Sequence, residues 1–315
     1  MTPDENQFEE PLVDLRQRIE ELEGYPEGSG HRGELERLRS ELAKRTKEIF
    51  SKLSPWQTTL IARHFDRPYA LDYVEGLMED WVELHGDRTF ADDPAIVTGL
   101  ATFRGRSVAV VGHQKGRGTK GRIHRNFGQP RPEGYRKALR VMRLAEKFGL
   151  PVVSLIDTPG AYPGIGAEER GQAEAIARNL IEMADLKVPI VVVVTGEGGS
   201  GGALALGVGD RVYLLEHAIY SVISPEGCAA ILWKDQARKT DAASALRLTA
   251  TDLAALKVID GIIPEPPGGA HTDFAAVFES VGEVIERALD ELSPSTSEEL
   301  IAGRLSRFRA IGVHK

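Results

Sequence analysis

A glycine-rich segment that follows an apolar run is the part of this sequence best suited to do chemistry. The run Pro189–Thr195 reads PIVVVVT, and five of the seven residues from Gly196 to Gly202 are glycine. Glycine lets the backbone approach a ligand closely, so several N–H groups can converge on one point. The helix expected to start next would add the positive end of its dipole. Such donors stabilise an anion, either a bound phosphate or an oxyanion that develops during a reaction.

Two phosphate-binding motifs fit this segment poorly. Gly196 and Gly201 have the spacing of a Walker A loop, but Gly202 stands where that loop needs lysine. Gly196, Gly198 and Gly201 match the dinucleotide fingerprint, yet only residues 203–210 separate them from the next expected strand. That stretch is too short for the crossover helix of a dinucleotide-binding unit. The segment therefore favours an oxyanion-type loop that leads into a short helix.

A serine nucleophile is an open alternative at the same place. Gly198-x-Ser200-x-Gly202 has the spacing of a nucleophile elbow, which would make the protein a serine hydrolase. No spacing singles out one partner among the histidines that could serve, which are His113, His124, His217 and His271. Cys228 lies in an apolar stretch, so we interpret it as a buried structural thiol and not as a nucleophile.

A second loop follows the other strongly apolar run, Pro151–Ile156. It extends from Asp157 to Gly171 and begins Asp-Thr-Pro-Gly. Loops after parallel strands lie on one edge of a sheet, so we expect the two loops to face a shared cleft. We interpret Asp157 as a cap for the turn at Pro159–Gly160, with a general base or a Mg²⁺ ligand as the alternatives.

The third candidate is a basic stretch in an acidic chain. From Lys115 to Arg125 there are five Lys or Arg residues and no Asp or Glu. A flexible loop of this kind can hold a polyanion, such as the phosphates of a nucleotide-bearing cofactor. The alternative is a solvated run of charges, or a contact with an acidic surface of a partner.

The elements around these segments predict an α/β fold with largely buried strands. Of the 33 glycines, 20 lie between Gly99 and Gly209, where strand, glycine-rich loop and helix repeat. The expected strands are Ile96–Phe103, Ser107–Gly112, Pro151–Ile156, Pro189–Thr195, Arg211–Leu215 and Ile219–Ile223. The expected helices are Pro132–Phe148, Glu168–Asp185 and Pro225–Trp233.

The two ends of the chain read as helical. Apolar residues at helical spacing from Leu12 to Ile49, interrupted by the turn-rich stretch 24–33, predict a helical hairpin. Two further helices are expected at Pro55–His64 and Leu71–His85. We therefore predict an N-terminal helical region at 1–90, a main domain at 91–290 and a C-terminal helical tail at 291–315.

Composition excludes several classes of protein. The 315 residues carry a net charge of −8, which argues against a general nucleic-acid binder. The single cysteine, Cys228, excludes an intramolecular disulfide and a cysteine-based zinc ribbon within this chain. There is no apolar run of about 18 residues and no signal-like N-terminus, so we expect a cytoplasmic protein without a membrane span.

Longer motifs resemble the carboxyltransferase alpha subunit of bacterial multi-subunit acetyl-CoA carboxylase. The resemblance covers roughly Leu12 to Ala310. The matching stretches are Gly112–Arg117, Asn126–Gly128, Pro132–Arg140, Ile156–Gly166, Ala167–Asn179, Gly196–Gly209, Tyr220–Trp233 and Ile259–His271. The resemblance implies a crotonase/ClpP-like fold, a stack of ββα units, preceded by an N-terminal helical region.

The resemblance also implies a reaction and its partners. Carboxybiotin on a separate carrier protein would give its carboxyl group to acetyl-CoA, which yields malonyl-CoA for fatty acid biosynthesis. This chain would supply the biotin side, and a beta subunit with a zinc ribbon would supply most of the acyl-CoA side. The implied assembly is an α2β2 heterotetramer that works with the biotin carboxyl carrier protein and with biotin carboxylase. No metal is expected in this chain.

The resemblance assigns roles to residues of all three candidate segments. The backbone N–H groups of Gly201 and Gly202 would form an oxyanion hole for the ureido oxygen of biotin. The residues that would shape the segment or line the biotin pocket are Gly198, Gly199, Ala161, Tyr162 and Gly164. Possible contacts for the phosphates of CoA are Lys115, Arg117 and Lys120.

Two readings from other classes stay open. A crotonase-fold acyl-CoA hydratase or decarboxylase would bind CoA and turn over without a partner. A non-catalytic scaffold for the biotin carrier would tolerate Gly202→Val without loss of activity.

Overall fold

The computed structural model of the chain describes residues 8–25 and 30–312. The strands are β1 (Glu79–Glu83), β2 (Ile96–Phe103), β3 (Arg106–His113), β4 (Val152–Thr158), β5 (Ile190–Gly199), β6 (Arg211–Leu215), β7 (Ile219–Ser221) and β8 (Gly261–Ile263). They form one sheet in the order β1-β2-β3-β4-β5-β6-β8, and β7 pairs with β5 away from that path.

Helices surround the sheet and occupy both ends of the chain. They are α1 (Glu10–Glu23), α2 (Arg32–Phe50), α3 (Pro55–Ala62), α4 (Ala70–Leu77), α5 (Gly118–His124), α6 (Pro132–Phe148), α7 (Ile165–Glu169), α8 (Gln172–Asp185), α9 (Ser200–Leu204), α10 (Pro225–Trp233), α11 (Lys239–Leu246), α12 (Ala250–Ala255), α13 (Phe274–Leu292) and α14 (Ser297–Arg309). The helical hairpin predicted at the N-terminus is α1 and α2.

The parallel part of the sheet explains the apolar runs of the sequence. β1, β2 and β3 pair antiparallel, whereas every pairing from β3 through β4, β5 and β6 to β8 is parallel. All seven residues of β4 are buried, and so are nine of the ten residues of β5. Strands covered on both faces need apolar residues at every position. The predicted α/β class with buried strands is therefore confirmed.

The helix predicted at Leu71–His85 is wrong in its second half. α4 ends, Met78 takes an extended conformation (φ −116°, ψ 150°), and β1 follows as an edge strand beside β2. The Trp81 ring packs on Gly99 of β2, where a Cβ would lie 2.5 Å from the ring. Pairing with a neighbouring strand took precedence over an apolar spacing that also fits a helix.

Two other predicted elements differ in detail. The helix expected at Glu168–Asp185 is two helices, α7 and α8, because Gly171 takes a left-handed conformation (φ +82°) between them. The strand expected at Ile219–Ile223 ends at Ser221. Beyond it, Ser224 accepts a hydrogen bond from the N–H of Gly227 at 3.1 Å and caps α10.

The two glycine-containing segments meet at one edge of the sheet, as predicted. β5 continues through Gly199 and α9 begins at Ser200, so the predicted glycine loop is the end of a strand joined directly to a helix. Thr158, the last residue of β4, is in register with Gly198 of β5. β7 pairs with the glycine-rich end of β5 through its own three residues.

Candidate functional site

Two adjoining clefts open at this edge of the sheet. The larger has a volume of about 590 Å³ and the smaller about 410 Å³. Residues that line both are Arg63, Pro159, Glu197 and Glu226. The smaller cleft is also lined by Gly198 and Gly199 of β5. Clefts of this size accommodate a small molecule or the end of a flexible arm.

Gly198 and Gly199 have no room for a side chain. A Cβ on Gly198 would lie 2.6 Å from the ring of Tyr220, and a Cβ on Gly199 would lie 2.3 Å from the backbone of Pro159. Both positions therefore require glycine, because Tyr220 and Pro159 of the same chain pack closely against them. This approach brings the end of β5 against the wall of the smaller cleft.

Gly201 and Gly202 lie in the first turn of α9, and their surroundings differ. N–H groups in a first turn have no partner within their own helix. A Cβ on Gly202 would lie 2.5 Å from the backbone nitrogen of Ala161, so α9 packs tightly on the loop after β4. A Cβ on Gly201 would meet only the side chain of Ile176, at 3.7 Å. Substitution by alanine is thus excluded on steric grounds at Gly202 and tolerated at Gly201.

Asp157 has a different partner from the one predicted. Its Oδ1 accepts a hydrogen bond from the N–H of Glu197 at 2.8 Å and lies 2.7 Å from Lys115 Nζ. The N–H of Gly160, which we expected Asp157 to cap, donates instead to Thr158 Oγ1 at 3.0 Å. The capping prediction is wrong because the threonine hydroxyl satisfies that N–H. Asp157 ties the end of β4 to the end of β5.

Glu197 is a functional candidate that the sequence analysis missed. Lys115 Nζ lies 2.9 Å from its Oε2, and Arg63 Nε lies 2.7 Å from its Oε1. Arg63 reaches on to α10, where its Nη1 lies 2.5 Å from Glu226 Oε1. Glu197 is the one charged residue between Gly196 and Gly202. A lone carboxylate among five glycines was the signal that could have identified it.

The charges of this cluster shift its pKa values in opposite directions. Burial alone would raise the pKa of Glu197, but Lys115 and Arg63 outweigh burial and lower it to about 2. Burial alone would lower the pKa of Lys115, but the two carboxylates raise it. For Asp157 burial prevails, and its pKa is raised although Lys115 opposes the change. The structure therefore keeps Glu197 and Lys115 charged at neutral pH.

The basic stretch is ordered, contrary to the flexible loop we expected, because residues 118–124 form α5. Lys115 precedes it and is enclosed by the two carboxylates described above. Arg117 forms an ion pair with Asp72 at 2.8 Å, and its guanidinium lies 4.7 Å from the centre of the Tyr69 ring. Lys120 is exposed and has no ion pair within the described part of the chain. Of the three predicted CoA contacts, Lys120 is the one that is not already engaged.

Ala161, Tyr162 and Gly164 form a compact turn beside α9. The N–H of Tyr162 donates to the carbonyl of Pro130 at 2.9 Å, and a Cβ on Gly164 would lie 2.3 Å from the Tyr162 ring. All three residues are partly exposed. From this loop it is Pro159, and not these residues, that lines both clefts.

Ser200 has the backbone conformation of a nucleophile elbow but lacks the histidine partner that a serine nucleophile needs. It has a left-handed conformation (φ +51°) at the junction of β5 and α9, and it is exposed. Among the described residues no histidine is hydrogen-bonded to its hydroxyl. The His113 ring is buried, and burial lowers its pKa to about 3. Cys228 is buried against Ala229 and Ala242, which agrees with a structural thiol.

Neither a metal cluster nor a membrane-spanning helix occurs in the described part of the chain. Residues 8–25 and 30–312 contain no group of three or more His, Cys, Asp or Glu side chains that could hold a metal ion. No helix within the same ranges has the length and apolar character needed to cross a membrane.

Several solved structures share this fold. Transcarboxylase 12S superposes with a TM-score of 0.55 at 24% identity, covering 69% of this chain and 42% of its own. A Pseudomonas malonate decarboxylase hetero-dimer gives a TM-score of 0.57 at 16% identity, with 69% and 88% covered. The beta subunit of geranyl-CoA carboxylase from P. aeruginosa gives 0.55 at 16%, with 74% and 44% covered. The fold is that of the crotonase-like carboxyltransferases, which confirms the predicted fold class.

Sequence relatives identify the family within this class. Residues 5–312 match the family described as acetyl co-enzyme A carboxylase carboxyltransferase-like. An acetyl-coenzyme A carboxylase carboxyl transferase subunit alpha from Syntrophotalea carbinolica is 58% identical over 96% of this chain and 96% of its own. The same subunit of Listeria innocua is 54% identical, with 99% and 98% covered. The chain belongs to the acetyl-coenzyme A carboxylase carboxyltransferase alpha-subunit family.

Proposed function

We propose that the chain is the biotin-side subunit of a cytoplasmic two-subunit carboxyltransferase. With a beta subunit it transfers the carboxyl group of carboxybiotin, held on a carrier protein, to acetyl-CoA and forms malonyl-CoA for fatty acid biosynthesis. The observation that carries the proposal is the tightly packed glycine segment of β5 and α9 at a cleft, in a chain of this family. Biotin carboxylase reloads the carrier, and the beta subunit bears the zinc ribbon of an α2β2 assembly.

The residues at the smaller cleft fit the biotin head group. Bound biotin supplies a ureido group on which negative charge develops when the carboxyl group leaves. Gly198 and Gly199 line this cleft, where a Cβ on Gly199 would already meet the Pro159 backbone at 2.3 Å. The two glycines therefore present backbone and no side chain at this wall of the cleft. Ala161 packs on α9 at Gly202, and Tyr162 and Gly164 continue the same loop.

The N–H groups of Gly201 and Gly202 act as the oxyanion donors in this proposal. Donors that are fixed before the reaction stabilise the developing charge without having to reorganise. The tight contact of Gly202 with Ala161 supplies that rigidity, since the first turn of α9 cannot move toward the β4 loop. Asp157 and Glu197 are both bound to Lys115, so we assign neither of them a proton transfer.

Acyl-CoA is bound mainly by the beta subunit in this proposal. Lys115, Arg117 and Lys120 remain proposed contacts for its phosphates, and the exposed ammonium of Lys120 makes it the first to test. Lys120→Gln should raise the KM for malonyl-CoA while kcat changes little.

Malonyl-CoA decarboxylation with free biotin as the acceptor tests the proposal. The assay compares the chain alone, the chain with a candidate beta subunit, and complexes that carry Gly202→Ala or Gly201→Ala. Both alanines keep their backbone N–H. The alanine at 202 collides with the Ala161 backbone and displaces its donor, so kcat should fall by about 10²–10³, as when an oxyanion donor is removed. The alanine at 201 has room and leaves its donor in place, so its loss should be far smaller.

Each result discriminates between the readings. Activity that needs the partner and is lost in Gly202→Ala supports the split site. Turnover by the chain alone would instead indicate a stand-alone crotonase-fold enzyme. The wild-type chain and Gly202→Ala could also both co-elute with the beta subunit and have equal activity. That result would refute the assignment of the oxyanion hole to α9.

A further inference from the structure

Glu197 is a carboxylate in a segment that has almost no other side chains. Its neighbours from Gly196 to Gly202 are five glycines and Ser200. Its side chain is only 10% exposed, and a buried carboxylate is unfavourable unless it is paired. Glycine also has the greatest backbone freedom of any residue. The segment that presents the oxyanion donors therefore needs an anchor, and Glu197 is the one residue in it that can make ionic contacts.

Three residues from separate parts of the fold bind Glu197. Lys115, after β3, binds Oε2 at 2.9 Å, and Arg63, after α3, binds Oε1 at 2.7 Å. Asp157, at the end of β4, accepts from the backbone N–H at 2.8 Å. Both carboxylate oxygens and the peptide are thus held in fixed directions. Hydrogen bonds in which both partners are charged are about twice as strong as neutral ones.

A second arginine holds the chain just before the segment. Arg67 donates to the carbonyl of Thr195 through Nη2 at 2.8 Å and Nε at 3.2 Å. Glu265 in turn binds Arg67, with Oε1 at 2.7 Å from Nη2. The backbone is therefore held by a side chain at Thr195. Beyond it the segment pairs with β7 through residues 197–199, and Glu197 supplies the ionic contacts.

We propose that Glu197 is a positioning residue for the oxyanion donors of Gly201 and Gly202. Its carboxylate is held between Lys115 and Arg63. These contacts fix the position of the glycine segment and therefore of the two N–H donors that follow it. The inference rests on the proposed function and deepens it. Glu197 touches no reacting atom in this role and acts only through the backbone it holds.

The expected signature is a loss of kcat without a loss of binding. A shift of about 1 Å in a catalytic group can lower the rate by about 100-fold. The ligands are bound largely by other residues and by the partner, so their KM values should change little. A residue with a merely structural role would lower the amount of assembled complex and leave kcat per complex unchanged.

Glu197→Gln and Asp87→Asn form a matched pair of variants for the test. Each removes one buried negative charge paired with a partly exposed arginine, Arg63 or Arg136, but Asp87 lines neither cleft. In the assembled complex, Glu197→Gln should lower kcat by 10- to 100-fold, with the KM values for biotin and malonyl-CoA within threefold of the wild type. Asp87→Asn should lower kcat by less than threefold.

Three results would overturn the inference: a raised KM with full kcat, an equal loss in both variants, or wild-type kinetics for Glu197→Gln. If Glu197→Gln does not assemble with the beta subunit, Arg63→Gln provides the same test because it releases only Oε1. It should then show a smaller loss of kcat with unchanged KM, and unchanged kcat would refute the role. An inactive wild-type complex would count against the proposed function itself and not against this inference.

Discussion

Strand β5 is held by a buried ionic group at each end, and the two groups differ in construction. At the start of the strand, Asp210 accepts from the N–H of Ile190 at 2.8 Å, and Arg304 bonds both of its oxygens at 3.0 and 2.9 Å. Arg304 also donates to the backbone carbonyls of Met183, Ala184, Leu186 and Val188. At the other end, Glu197 shares its oxygens between Lys115 and Arg63.

The difference lies in closure and in the balance of charge. Arg304 and Asp210 are one cation and one anion with side chains 0% and 3% exposed, so protein encloses the guanidinium completely. The group at Glu197 has three carboxylates against two cations, and Arg63 is 24% exposed at the wall of both clefts. The closed pair stabilises the fold, whereas the open group is placed to affect the chemistry.

Breaking the closed pair should have the largest effect on stability. Arg304→Met leaves Asp210 charged and buried and removes the donors of four carbonyls, so the complex should lose about 3–5 kcal/mol of unfolding free energy. Urea denaturation measures this loss. The kcat of the molecules that remain folded should equal that of the wild type. A reduced kcat together with unchanged stability would mean that the pair of Arg304 and Asp210 affects the chemistry and does not stabilise the fold.

Acid should remove the stabilising effect of Glu197 over a defined range. Its pKa in the folded state, about 2, lies below the ordinary value of 4.5, so the charged form stabilises the fold above pH 4.5. That stabilisation is lost as the pH falls from about 4.5 to about 2. The difference in unfolding free energy between wild type and Glu197→Gln should be constant from pH 7 to about 5 and then shrink. A difference that does not change with pH would mean that Glu197 is not held as an anion.

The smallest effect is expected on the surface, and it calibrates the other two. Arg32 and Glu36 form an ion pair one helical turn apart at 3.3 Å, with side chains 90% and 67% exposed. Glu36→Gln should change the unfolding free energy by no more than about 0.5 kcal/mol. The same urea titration measures it, and a loss of several kcal/mol would show that burial does not decide how much these ion pairs stabilise the fold.

The fold could be predicted from the sequence wherever one local pattern dominated. The parallel strands are uninterrupted apolar runs, and the β2–β3 hairpin has its turn at Arg104 and Gly105, with φ of +46° and +78°. β1 was misread because Trp81 and Leu84 also fit a helix. Only the pairing with β2, a contact between distant residues, decides in favour of a strand.

The site was predictable only in part for the same reason. The glycines indicate close contacts in the sequence itself, because no other residue fits where another part of the chain lies within 2.6 Å of a Cβ position. The ionic partners carry no such local mark. Lys115 and Arg63 lie 82 and 134 positions from Glu197 in the sequence. Charges of this kind look like ordinary solvated residues until the fold brings them together.

The contribution of Arg63 and Arg67 has a practical consequence for anyone who shortens this chain. Both arginines come from the helical region predicted at 1–90, yet one forms a wall of the clefts and the other holds the carbonyl of Thr195. A fragment cloned from residue 91 onward would keep every glycine of the site and lose the side chains that hold them. Shortened genes and gene fusions should therefore start upstream of Ser54, whose hydroxyl caps α3.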